Sequence, residues 1–203
     1  DKNIKVKRPI ASLTKLISAM VVLENYNLIE SIEVPAEAIN PPDSKNILRA
    51  GETLKVFDLL AALLIGSSNE AAYALALNWP SPIGTSEFKK QKFIEAMNQK
   101  AASLHLENTH FSDPAGLDDT GNFSTAWDLA LMAKYALNYP LLKQLTTKEN
   151  FVTYSEEGIY HKFENSNKLL KIWPEIQLGK TGFTDGAGSS LVLVVEEQKQ
   201  PLI

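Results

Sequence analysis

Between Val56 and Leu77 the sequence carries only two charges, Asp58 and Glu70, and apolar residues recur at helical spacing on both sides of Gly66-Ser67-Ser68-Asn69. Leu59, Leu60, Leu63 and Leu64 mark a first helix, and Ala71 to Leu77 mark a second. A helix that is apolar on nearly every side has to be enclosed by other elements. Two in succession demand a sizeable core, and a chain of 203 residues that is 44% apolar can build one. Apolar runs such as Leu59 to Ile65 are far shorter than the roughly 20 residues needed to cross a membrane. The pair therefore reads as core, with a polar four-residue turn held between its members.

The remaining pattern supplies the wrapping. Leu13, Leu16, Ile17, Met20, Val21 and Leu23 predict a buried helix from near Ser12 to Asn25. Ile32 to Val34, Pro41-Pro42-Asp43 and Ile47 to Gly51 predict an irregular stretch of short extended pieces and turns. Thr53 is placed to cap the helix that starts at Val56. After a loop from Trp79 to Ser86, Phe88, Phe93, Met97, Ala101 and Leu104 predict an amphipathic helix, and Asp113-Pro114-Ala115-Gly116 a turn-rich loop. Thr125 with Asp128 resembles a capping box for a helix carrying Leu129, Met132, Tyr135 and Ala136, which Pro140 interrupts. From Phe151 the period changes to that of strands: Phe151 to Tyr154, Tyr160 to Phe163, Ile176 to Thr184 and Ser189 to Glu196. Asp185-Gly186-Ala187-Gly188 joins the last two as a hairpin. The class is α+β, with helices in the middle of the chain, and no repeat or linker divides it.

Several functions are excluded early. The net charge is −4 and no basic block occurs, so the electrostatic footprint of a nucleic-acid binder is missing. With no cysteine there is no disulfide, thiolate metal site or cysteine nucleophile. His105, His110 and His161 lack metal-ligand spacing, and no Gly-x-Ser-x-Gly elbow accompanies them, so neither a metal nor a histidine-based triad is expected. Asp118-Asp119 and Glu156-Glu157 read as solvated loop carboxylates, and the charged start from Asp1 to Arg8 is unlike a signal segment.

Three short motifs can carry chemistry. Ser12-Leu13-Thr14-Lys15 sets a hydroxyl and an amine one turn apart on the same face of an apolar helix. A serine is a poor nucleophile until a base takes its proton, and a lysine serves as that base when burial or a nearby cation disfavours its charge. Such a pair arises by chance roughly once in a chain this long, and alone it reads as a helix cap and a solvated lysine. Ser67-Ser68-Asn69 sets a hydroxyl and an amide two residues apart, fit for proton relay and amide binding, although both residue types also favour turns for local reasons. Lys180-Thr181-Gly182 puts a cation, a hydroxyl and a residue without a side chain inside an apolar strand. By itself it could be a strand bend.

Together the three fall in the order Ser-x-x-Lys, Ser-x-Asn, Lys-Thr-Gly found in penicillin-binding proteins and serine β-lactamases. Arg8-Pro9-Ile10-Ala11-Ser12-Leu13-Thr14-Lys15-Leu16, Ser67-Ser68-Asn69-Glu70-Ala71-Ala72, Thr109 to Asp118 and Gly179-Lys180-Thr181-Gly182-Phe183-Thr184 resemble blocks of the D-alanyl-D-alanine carboxypeptidase family of low-molecular-mass penicillin-binding proteins. That resemblance runs from Arg8 to about Val195. It implies a single D,D-peptidase domain over 1–203, with a helical cluster packed on an antiparallel sheet and the active site between them. It implies Ser12 as nucleophile, Lys15 as its general base and Ser67 as the donor to the leaving amine. Asn69, Lys180, Thr181, Gly182 and Phe183 would bind substrate, with the backbone amides of Ser12 and Phe183 forming an oxyanion hole. The expected partners are peptidoglycan stem peptides, laid beside the Ile176 to Thr184 strand, and β-lactams; no cofactor is expected. Location in the bacterial envelope after export follows from the same resemblance, any peripheral membrane association lying outside this chain.

Two alternatives remain open on sequence. A class A β-lactamase shares the motifs but adds a Glu-x-x-x-Asn pattern that this chain lacks. An inactive fragment or a non-catalytic peptidoglycan-binding relative is the other. Only eleven residues precede Ser12, and Pro201-Leu202-Ile203 falls where a last strand would start, so the sheet is expected to be incomplete and the chain truncated at both ends. Carboxypeptidase and endopeptidase action are both compatible, with Gln177 to Thr184 slightly closer to the latter.

Overall fold

The computed structural model describes residues 2–39, 41, 47–117, 121–197 and 200–203. A 3-10 turn at Ala11–Thr14 leads into α1 (Lys15–Asn25), so the expected helix near Ser12 opens with a tighter turn that carries the serine itself. Two short strands, β1 (Ser31–Glu33) and β2 (Thr53–Lys55), pair antiparallel with Glu33 opposite Thr53. Thr53 is therefore not the cap of the next helix. Its amide is taken by the Glu157 carboxylate, and α2 (Val56–Leu64) starts from Lys55 with no side-chain cap. Pro42, Asp43, Asp118 and Asp119 lie outside the described residues.

The all-round apolar helices behave as the sequence requires. In α2 every residue except Phe57 is buried, and in α3 (Asn69–Leu77) every residue except Tyr73. Ser68 caps α3 by accepting the amide of Ala71 at 3.0 Å, which leaves Ser67 outside the helix and turned to the surface of the core. Around this pair stand α1, α4 (Ser86–Ser103), α5 (Ala126–Ala136) and α6 (Pro140–Thr146). Thr125 caps α5 as predicted, accepting the amide of Asp128 at 3.1 Å. The reciprocal half of the box is absent, because Asp128 accepts from the Asn108 amide and the Thr109 hydroxyl instead. Pro140 stops one helix and supplies the first turn of the next, where its missing amide costs nothing.

The strand region holds a hairpin, β3 (Asn150–Tyr154) with β4 (Tyr160–Glu164), and a separate antiparallel sheet of β5 (Ile176–Thr184), β6 (Gly188–Glu197) and β7 (Gln200–Leu202) in the order β5-β6-β7. In that sheet Lys180 faces Val192, Thr181 faces Leu191 and Phe183 faces Ser189. One cluster of buried apolar side chains runs from Ile10 through both central helices to Leu178 and Val194. The sheet thus packs on the helices, α5 against β6 and α6 against β5. As an edge strand, β5 passes the 3-10 turn that bears Ser12.

Candidate active site

The three motifs converge on one cleft of about 660 Å³, lined by Ser12, Ser67, Asn69, Thr181, Gly182 and Phe183 among others. Each side chain arrives there for a local reason. Ser12 lies in the 3-10 turn, half-buried, behind an Ala11 whose φ of 49° is left-handed. Ser67 has the same left-handed backbone at φ 55°, in the tight turn between α2 and α3. Non-glycine residues rarely adopt this region, at a cost of order 1–3 kcal/mol each, and the surrounding packing has to hold them there. Both hydroxyls are fixed by strained turns on buried helices.

Lys15 is wholly buried (0% exposed), and its Nζ donates to Ser12 Oγ at 2.6 Å, Asn69 Oδ1 at 2.8 Å and the Ala115 carbonyl at 2.8 Å. Opposite, Lys180 is 1% exposed, and its Nζ donates to Ser67 Oγ at 2.8 Å and to the Thr181 carbonyl at 2.9 Å. Each motif lysine thus meets a motif hydroxyl: Lys15 its own neighbour, Lys180 one from another element. An amide and a backbone carbonyl flank the amine that meets the nucleophile, and a second lysine flanks the relay hydroxyl. This arrangement can take a proton from Ser12, deliver one from Ser67 and attract an anion.

Glycine is required on both sides of the serine turn. A Cβ at Gly182 would lie 3.0 Å from Ser12 N, 3.1 Å from Ala11 Cβ and 2.8 Å from Ser190 Oγ, so β5 approaches the nucleophile's own amide as closely as backbone allows. From the other side Gly116, at φ 87°, sits where a Cβ would be 2.0 Å from the Ala11 carbonyl oxygen. The turn is gripped between a loop and a strand. Ser190 Oγ reaches the Gly182 and Ile10 carbonyls at 3.2 and 3.4 Å and stitches β6 to the same place.

All eight residues expected from the sequence lie at this cleft, Lys15 and Lys180 beneath its floor and the 66%-exposed Phe183 at its rim. Sequence reading missed others. Ser166 shares a hydrogen bond with the Thr181 hydroxyl, and Asn167, which is buried, lines the cleft beside it. The polar run Asn165-Ser166-Asn167 between two strands was the available signal. His161 is not part of the site: its Nε2 lies 2.7 Å from Glu52 Oε2 inside the protein. His110 belongs to a bridge with Phe123 and pairs with the Gly121 carbonyl. Glu156 and Glu157 are exposed as expected, but Glu157 also caps the amide of Thr53. That hydrogen bond, with others from its own turn, lowers its pKa to about 2. Among the described residues no helix is long and apolar enough to cross a membrane.

The sequence profile of the D-alanyl-D-alanine carboxypeptidase family matches residues 1–203. The D-alanyl-D-alanine endopeptidase of Pseudomonas aeruginosa is 36% identical over 208 residues, covering 100% of this chain and 64% of that protein. The D-alanyl-D-alanine endopeptidase of Escherichia coli is 38% identical over 202 residues, covering 96% and 62%. The D-alanyl-D-alanine carboxypeptidase DacF of Bacillus subtilis is 31% identical over 194 residues, covering 92% and 48%. The chain thus spans between about half and two thirds of the length of these relatives. Among solved structures, the Streptomyces K15 DD-transpeptidase superposes with a TM-score of 0.88 at 28% identity, covering 97% of this chain and 79% of that one. A D-alanyl-D-alanine carboxypeptidase from Mycobacterium tuberculosis gives 0.86 at 27%, covering 98% and 73%.

Proposed function

The chain belongs to the D-alanyl-D-alanine carboxypeptidase family, and from that premise we propose that it carries the catalytic site of a bacterial serine D,D-peptidase. It cleaves the D-alanyl bond of peptidoglycan stem peptides through an acyl-enzyme on Ser12. The observation that carries this reading is the 2.6 Å contact between Lys15 Nζ and Ser12 Oγ, made under a cleft whose far wall holds Lys180 and Ser67.

The steps follow from the contacts. With its two hydrogens kept on Asn69 Oδ1 and the Ala115 carbonyl, the neutral Lys15 amine turns its lone pair to Ser12 and accepts the hydroxyl proton as Ser12 Oγ attacks the carbonyl carbon after the penultimate D-alanine. The oxyanion forms against the amides of Ser12 and Phe183, in the narrow space that Gly182 leaves open. As the oxyanion collapses the C–N bond breaks, and the leaving amine takes a proton from Ser67, whose oxygen is held by Lys180; the proton that Lys15 took from Ser12 then passes to Ser67, which leaves Lys15 neutral for the second half of the reaction. Water attacks the ester carbonyl, and its proton returns through Lys15 to the departing Ser12 oxygen. Lys180, Thr181 and Ser166 bind the carboxylate of the scissile residue. Asn69 holds Lys15 with one end of its amide and a substrate peptide group with the other.

An extended stem peptide adds to β5 as a further strand, since β5 lies at the edge of its sheet. A β-lactam, which imitates the D-Ala-D-Ala end, acylates the same serine. The two endopeptidase relatives support a crosslink as the bond cut, and the carboxypeptidase relative a terminal alanine; the chemistry at Ser12 is shared. Such a polymer lies outside the inner membrane, which supports a location in the envelope. The single core running from Ile10 to Val194 supports one catalytic domain.

Incubation with a fluorescent penicillin, with mass-spectrometric location of the label and a Ser12→Ala control, tests the reading. Covalent label on Ser12, lost in the control, is expected. A folded protein that takes no label would replace the reading with a peptidoglycan-binding role.

A further inference from the structure

Besides Ser12 Oγ, Lys15 Nζ is held by Asn69 on α3 and by the Ala115 carbonyl. That carbonyl belongs to no helix or strand, so its aim depends on how the 113–117 loop is wound. The loop is wound around a single carboxylate. Asp113 Oδ1 accepts the amides of Ala115 at 2.8 Å, Gly116 at 2.7 Å and Leu117 at 3.1 Å. Its Oδ2 accepts the hydroxyl of Tyr73, which stands one turn beyond Asn69 on the same face of α3.

Two further contacts press the loop onto the nucleophile's helix. Ser18 Oγ on α1 donates to the Pro114 carbonyl at 2.7 Å, and Gly116 lies on the Ala11 carbonyl, where a Cβ would stand at 2.0 Å. Asp113 is 8% exposed and so is set back from the cleft. It does not line the cleft beside Ser12. Its contacts are with the groups that place Ala115.

We propose that Asp113, anchored by Tyr73, is a positioning residue for this site: it aims the Ala115 carbonyl at Lys15 Nζ and so keeps the amine within reach of Ser12 Oγ. The inference rests on the Ser12 and Lys15 roles given above. Its physical content is geometric. Without the carboxylate, three amides lose their common acceptor, the carbonyl swings, and one of the contacts fixing Nζ goes with it. A misplacement of about 1 Å at a reacting group costs on the order of 100-fold in rate.

The test is rapid-mixing acylation by a fluorescent penicillin on the full chain. It compares wild type with Asp113→Ala, Asp113→Asn and Tyr73→Phe, and reads the limiting acylation rate, the dissociation constant of the preceding complex, the fraction that can be labelled and the melting temperature. Asp113→Ala is expected to lower the limiting rate by about 10-fold or more with the dissociation constant little changed. Asp113→Asn keeps an oxygen for the three amides and should recover most of that rate, while Tyr73→Phe should fall between. If Asp113 merely supports the fold, the labelled fraction and melting temperature fall while the rate of the labelled fraction stays at the wild-type value, and the inference is overturned. Should Asp113→Ala not fold, wild-type rates in both other variants overturn it equally, and a slowed Tyr73→Phe supports it. Label on wild-type Ser12 with unchanged rates in every variant removes this inference alone, whereas no label on wild-type Ser12 removes it together with the proposed function.

Discussion

Lys180 Nζ lies 2.8 Å from Ser67 Oγ, although 113 positions separate the two residues and they stand on a strand and in an inter-helix turn. The bond spans the boundary between the helices and the sheet, so the cationic wall of the cleft exists only when the two halves are packed. A lysine at the edge of a strand would ordinarily be solvated; here it is 1% exposed.

Replacing that lysine should separate anchoring from acylation. Lys180→Met is expected to lower kcat/KM on a peptide ending in D-Ala-D-Ala by on the order of 100-fold, about 3 kcal/mol, because the substrate carboxylate and Ser67 lose one charged partner. On the same peptide with an amidated end, the variant and wild type should differ far less. Steady-state kinetics on the two peptides decide the matter, and equal losses on both would assign Lys180 to proton transfer alone.

Gly182 leaves little room for a methyl group. In Gly182→Ala the new Cβ meets Ser190 Oγ, Ser12 N and Ala11 Cβ within 2.8 to 3.1 Å, so β5 must move away from the serine turn. Overpacking of this kind costs about 1–3 kcal/mol of stability. Acylation of the folded variant should also fall, on the order of 100-fold, since the displaced amides are those facing the oxyanion. Acylation kinetics beside thermal denaturation test this, and normal acylation in a destabilised variant would refute it.

The buried pair of His161 and Glu52 concerns stability alone. The two side chains are 5% and 1% exposed and 2.7 Å apart, with the imidazole stacked on Phe163 at a centroid distance of 5.9 Å. Glu52 also accepts the Arg49 amide at 2.6 Å. His161→Phe keeps the stacking but leaves a buried carboxylate without its ring partner, a loss of about 2–3 kcal/mol. Urea unfolding should show a lower midpoint at unchanged slope, with the acylation rate of the folded protein unaffected.

Glu24 on α1, Lys100 on α4 and Tyr139 before α6 tie three helices together and give stability a pH dependence. Burial pushes the Glu24 carboxyl up, but hydrogen bonds from Lys100 and Tyr139 and the Lys100 charge outweigh it and hold it below its ordinary 4.5. Its contribution is therefore complete above pH 4.5 and is lost as pH falls through the lowered value. For Lys100, burial pulls down, while Glu24 and Tyr139 together raise it above its ordinary 10.5. That contribution is complete below pH 10.5 and is lost as pH rises through the raised value. The carboxylate is partly exposed, so the effect is at most about 1 kcal/mol. Melting temperature against pH should flatten in its acid limb for Glu24→Gln; an unchanged profile would contradict this.

How much of this was legible in the sequence depends on how far apart the partners lie. Ser12 and Lys15 share a helical turn, so spacing alone put them on one face, and the apolar runs of α2 and α3 required burial whatever their neighbours. The pairing of Lys180 with Ser67 could not come from spacing, and the resemblance gave each residue a role without joining the two. Tyr73 and Asp113 are 40 positions apart and Glu52 and His161 are 109 apart, and nothing local marks either pair. Thr53 was misread because a threonine before an apolar helix looks the same whether it caps that helix or pairs in a strand. What decided it was Glu157, more than a hundred positions later, taking the amide. Asp128 was half legible for the same reason, its carboxylate being claimed by Asn108 and Thr109 from outside the helix.

The grip of Gly116 and Gly182 on the serine turn has a consequence for how this protein can change. At Gly116 a side chain would run into the Ala11 carbonyl, and at Gly182 it would force the strand off the serine turn, so change at either flank disturbs Ser12. The rim is different: Lys168, Leu169, Asp185 and Leu191 line the cleft without that constraint. New substrate preferences can therefore be acquired at the rim more readily than at the floor beneath it.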